Sequence, residues 1–147
     1  MQLRKANLED AALLFEWAND REVREMSVHS ESIQWPAHLH WMQERLMDAN
    51  TKMFILESGD TPIGQIRFDK RGSEWHIGYS IAASSRGKGY GSKIIEMGLK
   101  EIMQGKIIAL VKPTNIASVR IFTSAGFTQN GWQDQDGCRL LQFELDK

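Results

Sequence analysis

The chain has little cysteine and no long apolar run. Its single cysteine, Cys138, excludes a disulfide within the chain. The longest apolar runs, residues 11–15 and 107–111, are five residues each, far short of the roughly 20 that a helix needs to span a bilayer. No apolar signal-peptide stretch follows the opening residues. These absences predict a cytoplasmic protein with no membrane segment and with Cys138 chemically inert.

An excess of charge of one sign is also missing. Eighteen Lys and Arg against 19 Asp and Glu leave a net charge of −1, which argues against bulk nucleic acid or an anionic membrane as a partner. The length of 147 residues and the 41% hydrophobic content are typical of one folded unit, and no internal repeat or linker divides the chain. We therefore expect a single domain over residues 1–147, acting as a monomer or a homodimer.

Helical patterning dominates the first third of the chain, after a leading strand at residues 2–6. Apolar residues recur at helical spacing over residues 8–18, and a second helix is predicted from Pro36 to about residue 48. Residues 21–26 have the pattern of one further short helical turn.

Strands dominate the remainder of the chain. Period-two patterning predicts a three-stranded meander, followed by a helix, a buried strand, a short helix and a closing hairpin. The strands predicted there are residues 52–57, 63–68, 74–81, 106–112, 127–132 and 139–145. The resulting order β-α-α-β-β-β-α-β-α-β-β predicts an α+β fold with a mixed sheet of about seven strands and about four helices.

Alternate glycines over residues 87–91 lie where the third meander strand turns into a helix. They leave backbone N–H groups exposed at the positive end of the helix dipole, and Arg86, Lys88 and Lys93 add positive charge there. This combination predicts a phosphate-binding loop, although glycines at such a place also serve simply to permit a tight turn. The spacing lacks the Gly-x-x-x-x-Gly-Lys-Ser/Thr pattern of P-loop nucleotidases and the Gly-x-Gly-x-x-Gly fingerprint of dinucleotide folds.

Two motifs carry a resemblance to a known family. Arg86-Gly87-Lys88-Gly89-Tyr90-Gly91 resembles the Arg/Gln-x-x-Gly-x-Gly/Ala pyrophosphate loop of the GNAT superfamily of acetyl-CoA-dependent N-acetyltransferases. Asn115-Ile116-Ala117-Ser118, with Phe122 and Ala125-Gly126-Phe127, resembles that superfamily's second motif. The motif spacing and the element order match over essentially the whole chain. The resemblance implies a GNAT-like acyl-CoA N-acyltransferase fold, with acetyl-CoA as the co-substrate.

The resemblance also implies a layout for the cofactor. The strands at 74–81 and 106–112 splay apart, and the pantetheine arm lies between them. The residues implied are Ser80, Ile81 and Ala82 through backbone groups beside the pantetheine, Arg86, Gly87, Lys88, Gly89, Tyr90 and Gly91 around the pyrophosphate, and Asn115 and Ser118 at the β-mercaptoethylamine end. Asn115 equally suits a plain helix N-cap, and the two roles are compatible.

Acetyl transfer requires a neutral amine and a proton for the leaving thiolate. His76 and Glu74, on the polar face of the strand at 74–81, are the candidate bases, and His76 is favoured because histidine titrates near neutral pH. The alternative is a surface or packing role for His76, with proximity alone sufficing for an amine of low pKa.

The proton donor is the weak point of the resemblance. Many GNAT enzymes use a tyrosine in the second motif, and Phe122 stands at the matching position. Tyr79 is placed on the apolar strand face and Tyr90 in the phosphate loop, so neither is predicted to replace it, and Ser118 or water is left as the donor. The histidines have no acidic or thiol companions at ligand spacing, so no metal site is predicted.

A second, narrower resemblance indicates the amine substrate that accepts the acetyl group. It rests on residues 15–20 with Val23-Arg24, residues 32–35, residues 38–41 and residues 64–69. These segments resemble the GNAT branch that acetylates the 4-amino group of nucleotide-linked deoxyamino sugars in pseudaminic acid synthesis. The resemblance implies a small-molecule amine, a UDP-sugar, bound by His29, Trp35 and Arg67. The alternatives are a ribosomal-protein type of N-terminal acetyltransferase and a non-catalytic acyl-CoA-binding domain.

Overall fold

The computed structural model of the protein describes residues 1–147 as one seven-stranded sheet with five α-helices. The strands are β1 (Gln2–Lys5), β2 (Thr51–Ser58), β3 (Thr61–Arg71), β4 (Glu74–Ile81), β5 (Lys106–Val111), β6 (Thr128–Gln135) and β7 (Cys138–Asp146). The helices are α1 (Ala11–Ala18), α2 (Arg21–Met26), α3 (Trp35–Met47), α4 (Tyr90–Leu99) and α5 (Ile116–Ser124). None of these helices is long and apolar enough to cross a membrane.

The sheet is open at its centre. Its strand order is β1-β2-β3-β4-β5-β7-β6, and every neighbouring pair is antiparallel except β4 and β5, which are parallel. The parallel pairing begins with Glu74 opposite Lys106 and ends with His76 opposite Ile108. Beyond that register β4 and β5 separate, and a gap lies between residues 77–81 and 109–111.

Each face of the sheet carries its own hydrophobic core. The larger core has 16 buried residues and lies between the sheet and helices α4 and α5. The smaller core has seven buried residues and joins α1 and α3 to β2. Because side chains alternate along a strand, Trp75, Ile77 and Tyr79 point to the first face, which we call the α4 face. His76 and Gly78 point to the opposite face, the α3 face.

The predicted fold class and the count of seven strands are confirmed, and the helical part differs in detail. Residues 21–26 form a complete α-helix because the Asp20 side chain accepts hydrogen bonds from the N–H groups of Glu22 and Val23 and so caps its start. Helix α3 begins at Trp35, and Pro36 occupies its first turn. Strand β3 is longer than the predicted 63–68 because β2 and β4 pair with it along both edges.

Candidate active site

A cavity of about 510 Å³ occupies the gap between β4 and β5. Its walls come from both separated strands, from α2, from α5 and from the loop before α4. The Ala82 N–H donates to the Ile63 carbonyl at 2.8 Å, on the β3 side. Backbone N–H and C=O groups alternate in direction along a strand, so those of Ser80 also point toward β3. Those of Ile77, Tyr79 and Ile81 point the other way, into the gap. Of the three residues predicted to pair with a pantetheine, Ile81 alone has this orientation.

The glycine-rich loop forms one end of the cavity. Gly87 and Gly89 have φ of 75° and 83°, a left-handed conformation that other residues rarely adopt, and an added Cβ would meet no atom within 4 Å. Gly89 directly precedes α4, whose first turn contains no acidic residue. The backbone N–H groups at this helix start are therefore open to an anion, and the helix dipole favours one.

Gly91 has a different role from the other two loop glycines. A Cβ there would lie 2.7 Å from Ile121 Cδ1. The missing side chain lets α4 lie close against α5, so one of the three alternate glycines serves helix packing.

Arg86 is partly neutralised by α2. Its guanidinium pairs with Asp20 and with Glu22, each at 2.8 Å, and its Nε donates to the Ile81 carbonyl at 3.1 Å. The Arg86 hydrogen bond holds the pKa of Asp20 below its ordinary value. Arg86 lines the cavity, whereas Lys88 is exposed and is not among the lining residues. An anion at this loop would accordingly meet backbone N–H groups more than the cationic side chains that the sequence emphasised.

Helix α5 forms the opposite wall. The Asn115 side chain caps it by accepting the Ser118 N–H at 3.2 Å, so the N-cap reading of Asn115 is confirmed. Ser118 is buried, and its Oγ lies 2.7 Å from the Tyr79 hydroxyl of β4. Phe122 is buried and packs edge-on against the Tyr79 ring, with centroids 5.8 Å apart.

The sequence analysis gave Tyr79 no role in the site, whereas the structure places its hydroxyl on the cavity wall beside Ser118. Its assignment to the apolar strand face is correct, but a tyrosine on such a face still carries a hydroxyl that needs a partner. Burial raises the pKa of the Tyr79 phenol, and the hydrogen bond between Tyr79 and Ser118 opposes that shift. The signal available in the sequence was one hydroxyl-bearing side chain on an otherwise apolar strand face.

His76 lies at the apex of the gap, on the α3 face. It is opposite Asp69 of β3, and its pairing with Ile108 is the last between β4 and β5. Burial and the nearby Arg71 lower the pKa of His76, while Glu74 and Asp69 oppose that shift. The imidazole is therefore mostly neutral at pH 7, as a base must be. Glu74 is two residues further from the gap.

The three predicted acceptor residues lie in two places. The ring centroids of Trp35 and Phe15 are 5.2 Å apart. From Trp35, the rings of His38 and Trp41 follow in a row of contacts. The row ends at Arg67, whose guanidinium carbon lies 4.9 Å from the centroid of the Trp41 ring. His29 is elsewhere: its Nε2 is 2.9 Å from an Asp136 oxygen in the β6–β7 turn. Trp35 and Arg67 therefore lie at the two ends of one row of rings, whereas His29 contacts the β6–β7 hairpin and is not part of that row.

Comparison with known proteins identifies the family. Residues 1–128 match the family described as the acetyltransferase (GNAT) domain. The chain belongs to the GNAT acetyltransferase family. The family expected from the two sequence motifs is thereby confirmed, and with it the class of enzyme.

Two curated GNAT relatives span most of the chain. The uncharacterized N-acetyltransferase p20 of Bacillus licheniformis is 27% identical over 143 residues, which covers 89% of this chain and 80% of that protein. The uncharacterized N-acetyltransferase YnaD of Bacillus subtilis (strain 168) is 27% identical over 136 residues, covering 88% and 80%.

Solved structures share the GNAT fold at low identity. Aminoglycoside acetyltransferase AAC(6')-Ib with ribostamycin and coenzyme A superposes with a TM-score of 0.86 at 19% identity, covering 99% of this chain and 93% of that chain. Spermidine N-acetyltransferase from Vibrio cholerae with coenzyme A and spermine gives 0.86 at 16%, covering 99% and 94%. The protein yncA from Salmonella typhimurium with acetyl-CoA gives a TM-score of 0.83 at 20% identity, covering 99% of this chain and 93% of that chain.

Proposed function

We propose that this GNAT protein transfers an acetyl group from acetyl-CoA to a primary amine of a small molecule. The observation that carries the proposal is the cavity in the gap between β4 and β5, which is lined by the glycine-rich loop at one end and by the Tyr79–Ser118 hydroxyl pair. His76 is not one of the lining residues, but it lies at the last β4–β5 pairing, where the gap begins. An elongated thioester with a pyrophosphate at its far end fits that arrangement. The solved neighbours with coenzyme A or acetyl-CoA support the choice of co-substrate.

The residues that hold the co-substrate follow from the site. The N–H groups of Gly87, Gly89 and the start of α4 would hold the pyrophosphate, as a helix N-terminus holds an anion. The backbone groups of Tyr79 and Ile81, which face the gap, would pair with the amides of the pantetheine arm. When bound, acetyl-CoA supplies the activated acetyl group.

His76 would accept the proton of the attacking amine, directly or through a water. Its lowered pKa keeps the imidazole neutral, and its position at the apex of the gap places it beside the point where β4 and β5 separate. Gly78, the next residue on the same face, has no side chain to obstruct an approaching amine. The acceptor therefore reaches the gap from the α3 face.

The acceptor that we propose is the 4-amino group of a nucleotide-linked deoxyamino sugar. Arg67 supports it, because this residue lies opposite Gly78 in the sheet and only its Nε is engaged by Asp69, at 2.8 Å. Its terminal nitrogens are left for a phosphate, in the geometry that guanidinium groups favour. Trp35, 39% exposed, offers an aromatic surface at the other end of the same row of rings.

A polycationic amine is a second candidate for the acceptor. Asp69, His76 and Glu144 lie in one row across β3, β4, β5 and β7, with Ile108 of β5 between His76 and Glu144, so a carboxylate lies on each side of the base on the α3 face. Hydrogen bonds from Asn130 and Gln142 hold the pKa of Glu144 below its ordinary value, which keeps it anionic. Asp69 already pairs with Arg67 at 2.8 Å and Glu144 with Lys106 at 3.6 Å, so a cationic acceptor would have to compete with these side chains. The solved neighbours named above include structures with ribostamycin and spermine.

A panel of amines separates these acceptors. Release of the coenzyme A thiol is measured with a UDP-linked 4-amino sugar, a peptide N-terminus, spermidine and an aminoglycoside. We expect the nucleotide sugar to give the highest kcat/KM, and Arg67→Gln to raise its KM by about tenfold or more, since a charge-assisted hydrogen bond is lost. Arg139→Gln is the matched control, because Arg139 stacks on Trp132 at 4.7 Å on the other face of the sheet.

Each alternative has its own outcome in the panel. A preference for spermidine or the aminoglycoside, unaffected by Arg67→Gln, would select the polycationic acceptor, and a preference for the peptide would select an N-terminal acetyltransferase. Binding of acetyl-CoA without turnover of any amine would indicate a non-catalytic acyl-CoA-binding domain.

A further inference from the structure

Two hydroxyl groups meet inside the cavity, on the opposite side of the sheet from His76. Tyr79 projects from β4 beyond its last pairing with β5, and Ser118 projects from the first turn of α5. Their oxygens are 2.7 Å apart, a full-strength O–H···O hydrogen bond. Both residues line the cavity.

The pair is a polar spot in an apolar wall. Phe122 packs against the Tyr79 ring, and Ile121 and Val111 also line the cavity. Two hydroxyls carry two protons, and the bond between them uses one. The structure shows no other hydrogen bond to either side chain oxygen, so the second proton is free for a group that enters the cavity.

The geometry points to the Tyr79–Ser118 pair as the acid that protonates the departing thiolate, with Tyr79 as the source of the proton. This inference rests on the acetyl transfer proposed above. Because residues 76 and 79 are an odd number of positions apart, His76 and Tyr79 lie on opposite faces of β4. The amine is therefore deprotonated on one side of the gap, and the thiol leaves on the other.

The bonds, electrons and protons of the acetyl transfer balance. The new bond joins the amine nitrogen to the acetyl carbon, the carbon–sulfur bond breaks, and its electron pair goes to sulfur. Sulfur takes one proton from the hydroxyl pair, and the resulting negative charge settles on Tyr79, since a phenol is far more acidic than an aliphatic hydroxyl. The proton that the amine gave up to His76 returns through solvent to the phenolate.

The protonation state and the local packing agree with this role. Burial raises the pKa of Tyr79, so the phenol is fully protonated at neutral pH and is an acid rather than a base. Phe122, which stands where many GNAT enzymes have a tyrosine, is 3% exposed and supports the Tyr79 ring from the side. The hydroxyl is thus supplied from strand β4 instead of from helix α5.

Tyr79→Phe and Ser118→Ala test the assignment, with Thr123→Val as the control. Thr123 is also a hydroxyl residue of α5, but it is exposed and donates to the Val119 carbonyl. We expect Tyr79→Phe to lower kcat by about a hundredfold, with the KM for acetyl-CoA within about twofold of the original. Ser118→Ala should act similarly, and the double variant should be little worse than either single one, because the two act as a unit.

Two further readouts separate acid catalysis from a structural role. The kcat of the unmodified protein should fall at alkaline pH as Tyr79 ionises, and Tyr79→Phe should lack that decline. In the absence of any acceptor, the thiol of bound coenzyme A, titrated by the ultraviolet absorbance of its thiolate, should have a higher pKa in Tyr79→Phe, since a donor to the thiolate is lost.

The outcomes distinguish failure of this inference from failure of the proposed function. An active protein whose kcat and alkaline limb are unchanged by Tyr79→Phe would overturn the role of Tyr79 and leave the acetyltransferase proposal intact. A protein that turns over no amine would overturn the proposed activity, and the thiol titration would then still decide whether Tyr79 contacts the sulfur. A bound thiol whose pKa is identical in both proteins would count against the pair.

Discussion

Gly98 illustrates how a single missing side chain positions a helix. It lies on α4, and an added Cβ would be 2.5 Å from Ile66 Cδ1 and 3.4 Å from the Phe68 ring, both fully buried in the larger core. Gly98→Ala is expected to lower the free energy of unfolding by about 1–3 kcal/mol, because the packed core resists the extra methyl. Urea unfolding followed by circular dichroism measures the change.

Gly78→Ala is the control for that substitution. No atom lies within 4 Å of a Cβ at Gly78, and its φ is not in the left-handed region. Its free energy of unfolding should change by no more than about 0.5 kcal/mol. Equal losses in the two variants would mean that Gly98 has no packing role.

The local backbone geometry of individual residues was predictable, whereas their roles in binding the co-substrate stay predictions. Gly87 and Gly89 have the positive φ that the loop requires, and Asn115 caps its helix. Tyr79 was placed on the correct face, yet its partner Ser118 is 39 residues away in the chain. Strand periodicity states which face a side chain takes, but it does not state which helix lies over that face.

At the scale of elements, helix α2 lies along one wall of the cavity and is attached at both ends. Arg86 of the glycine-rich loop pairs with Asp20 and Glu22 at its start, and Lys112, just after β5, donates to the Glu25 carbonyl at 2.9 Å near its end. A helix of six residues is unstable alone, so these contacts hold it in place.

Lys112→Met should loosen α2 without unfolding the protein. The variant keeps the aliphatic stem but loses the donor at the end of the helix, so amide hydrogen exchange over residues 21–28 should accelerate. The free energy of unfolding should change by less than about 1 kcal/mol, as expected for an exposed polar contact. Hydrogen exchange with mass spectrometry measures the first effect and urea unfolding the second.

Lys52→Met is the matched control for α2. Lys52 likewise donates to a backbone carbonyl, that of Glu101, at 3.1 Å. It should leave exchange in residues 21–28 unchanged. If both lysine variants accelerate exchange there equally, Lys112 has no specific role in holding α2.

The sequence predicts which strands and helices form, but it does not predict which side chains hold them to one another. The seven strands follow from alternation and turn residues, and α2 was visible as a helical turn. That Arg86 would reach Asp20, 66 residues earlier, depends on where β4 ends relative to α1 and α2. No spacing rule within one element contains that information.

For the whole molecule, buried histidines predict how stability responds to acid. Burial lowers the pKa of His38, whose Nε2 lies 3.0 Å from the Ala11 carbonyl, and burial likewise lowers that of His76. The unfolded chain therefore takes up protons first as the pH falls below about 6.5. Stability is fully present above that pH and is lost as the pH falls through the folded-state pKa of each histidine.

Urea unfolding at a series of pH values between about 7 and 5 measures this loss, which is limited to about 1.4 kcal/mol per pH unit for each histidine. His38→Gln should make the dependence shallower. His40→Gln is the control, because His40 lies on the same helix but is exposed and pairs with Glu44. A steep dependence that persists unchanged in His38→Gln would show that His38 does not contribute.

The sequence by itself determined the order of the elements, the glycine-rich loop at the start of α4 and the membership of the GNAT family, because these depend on neighbours within a few positions along the chain. Only the tertiary structure decided that Arg86 is shared with α2, that Tyr79 meets Ser118, and that His29 joins Asp136 from 107 residues away. The physical reason is the sheet itself. Pairing between β4 and β5 stops at His76, and the gap that follows holds the cavity in which Tyr79 of β4 meets Ser118 of α5.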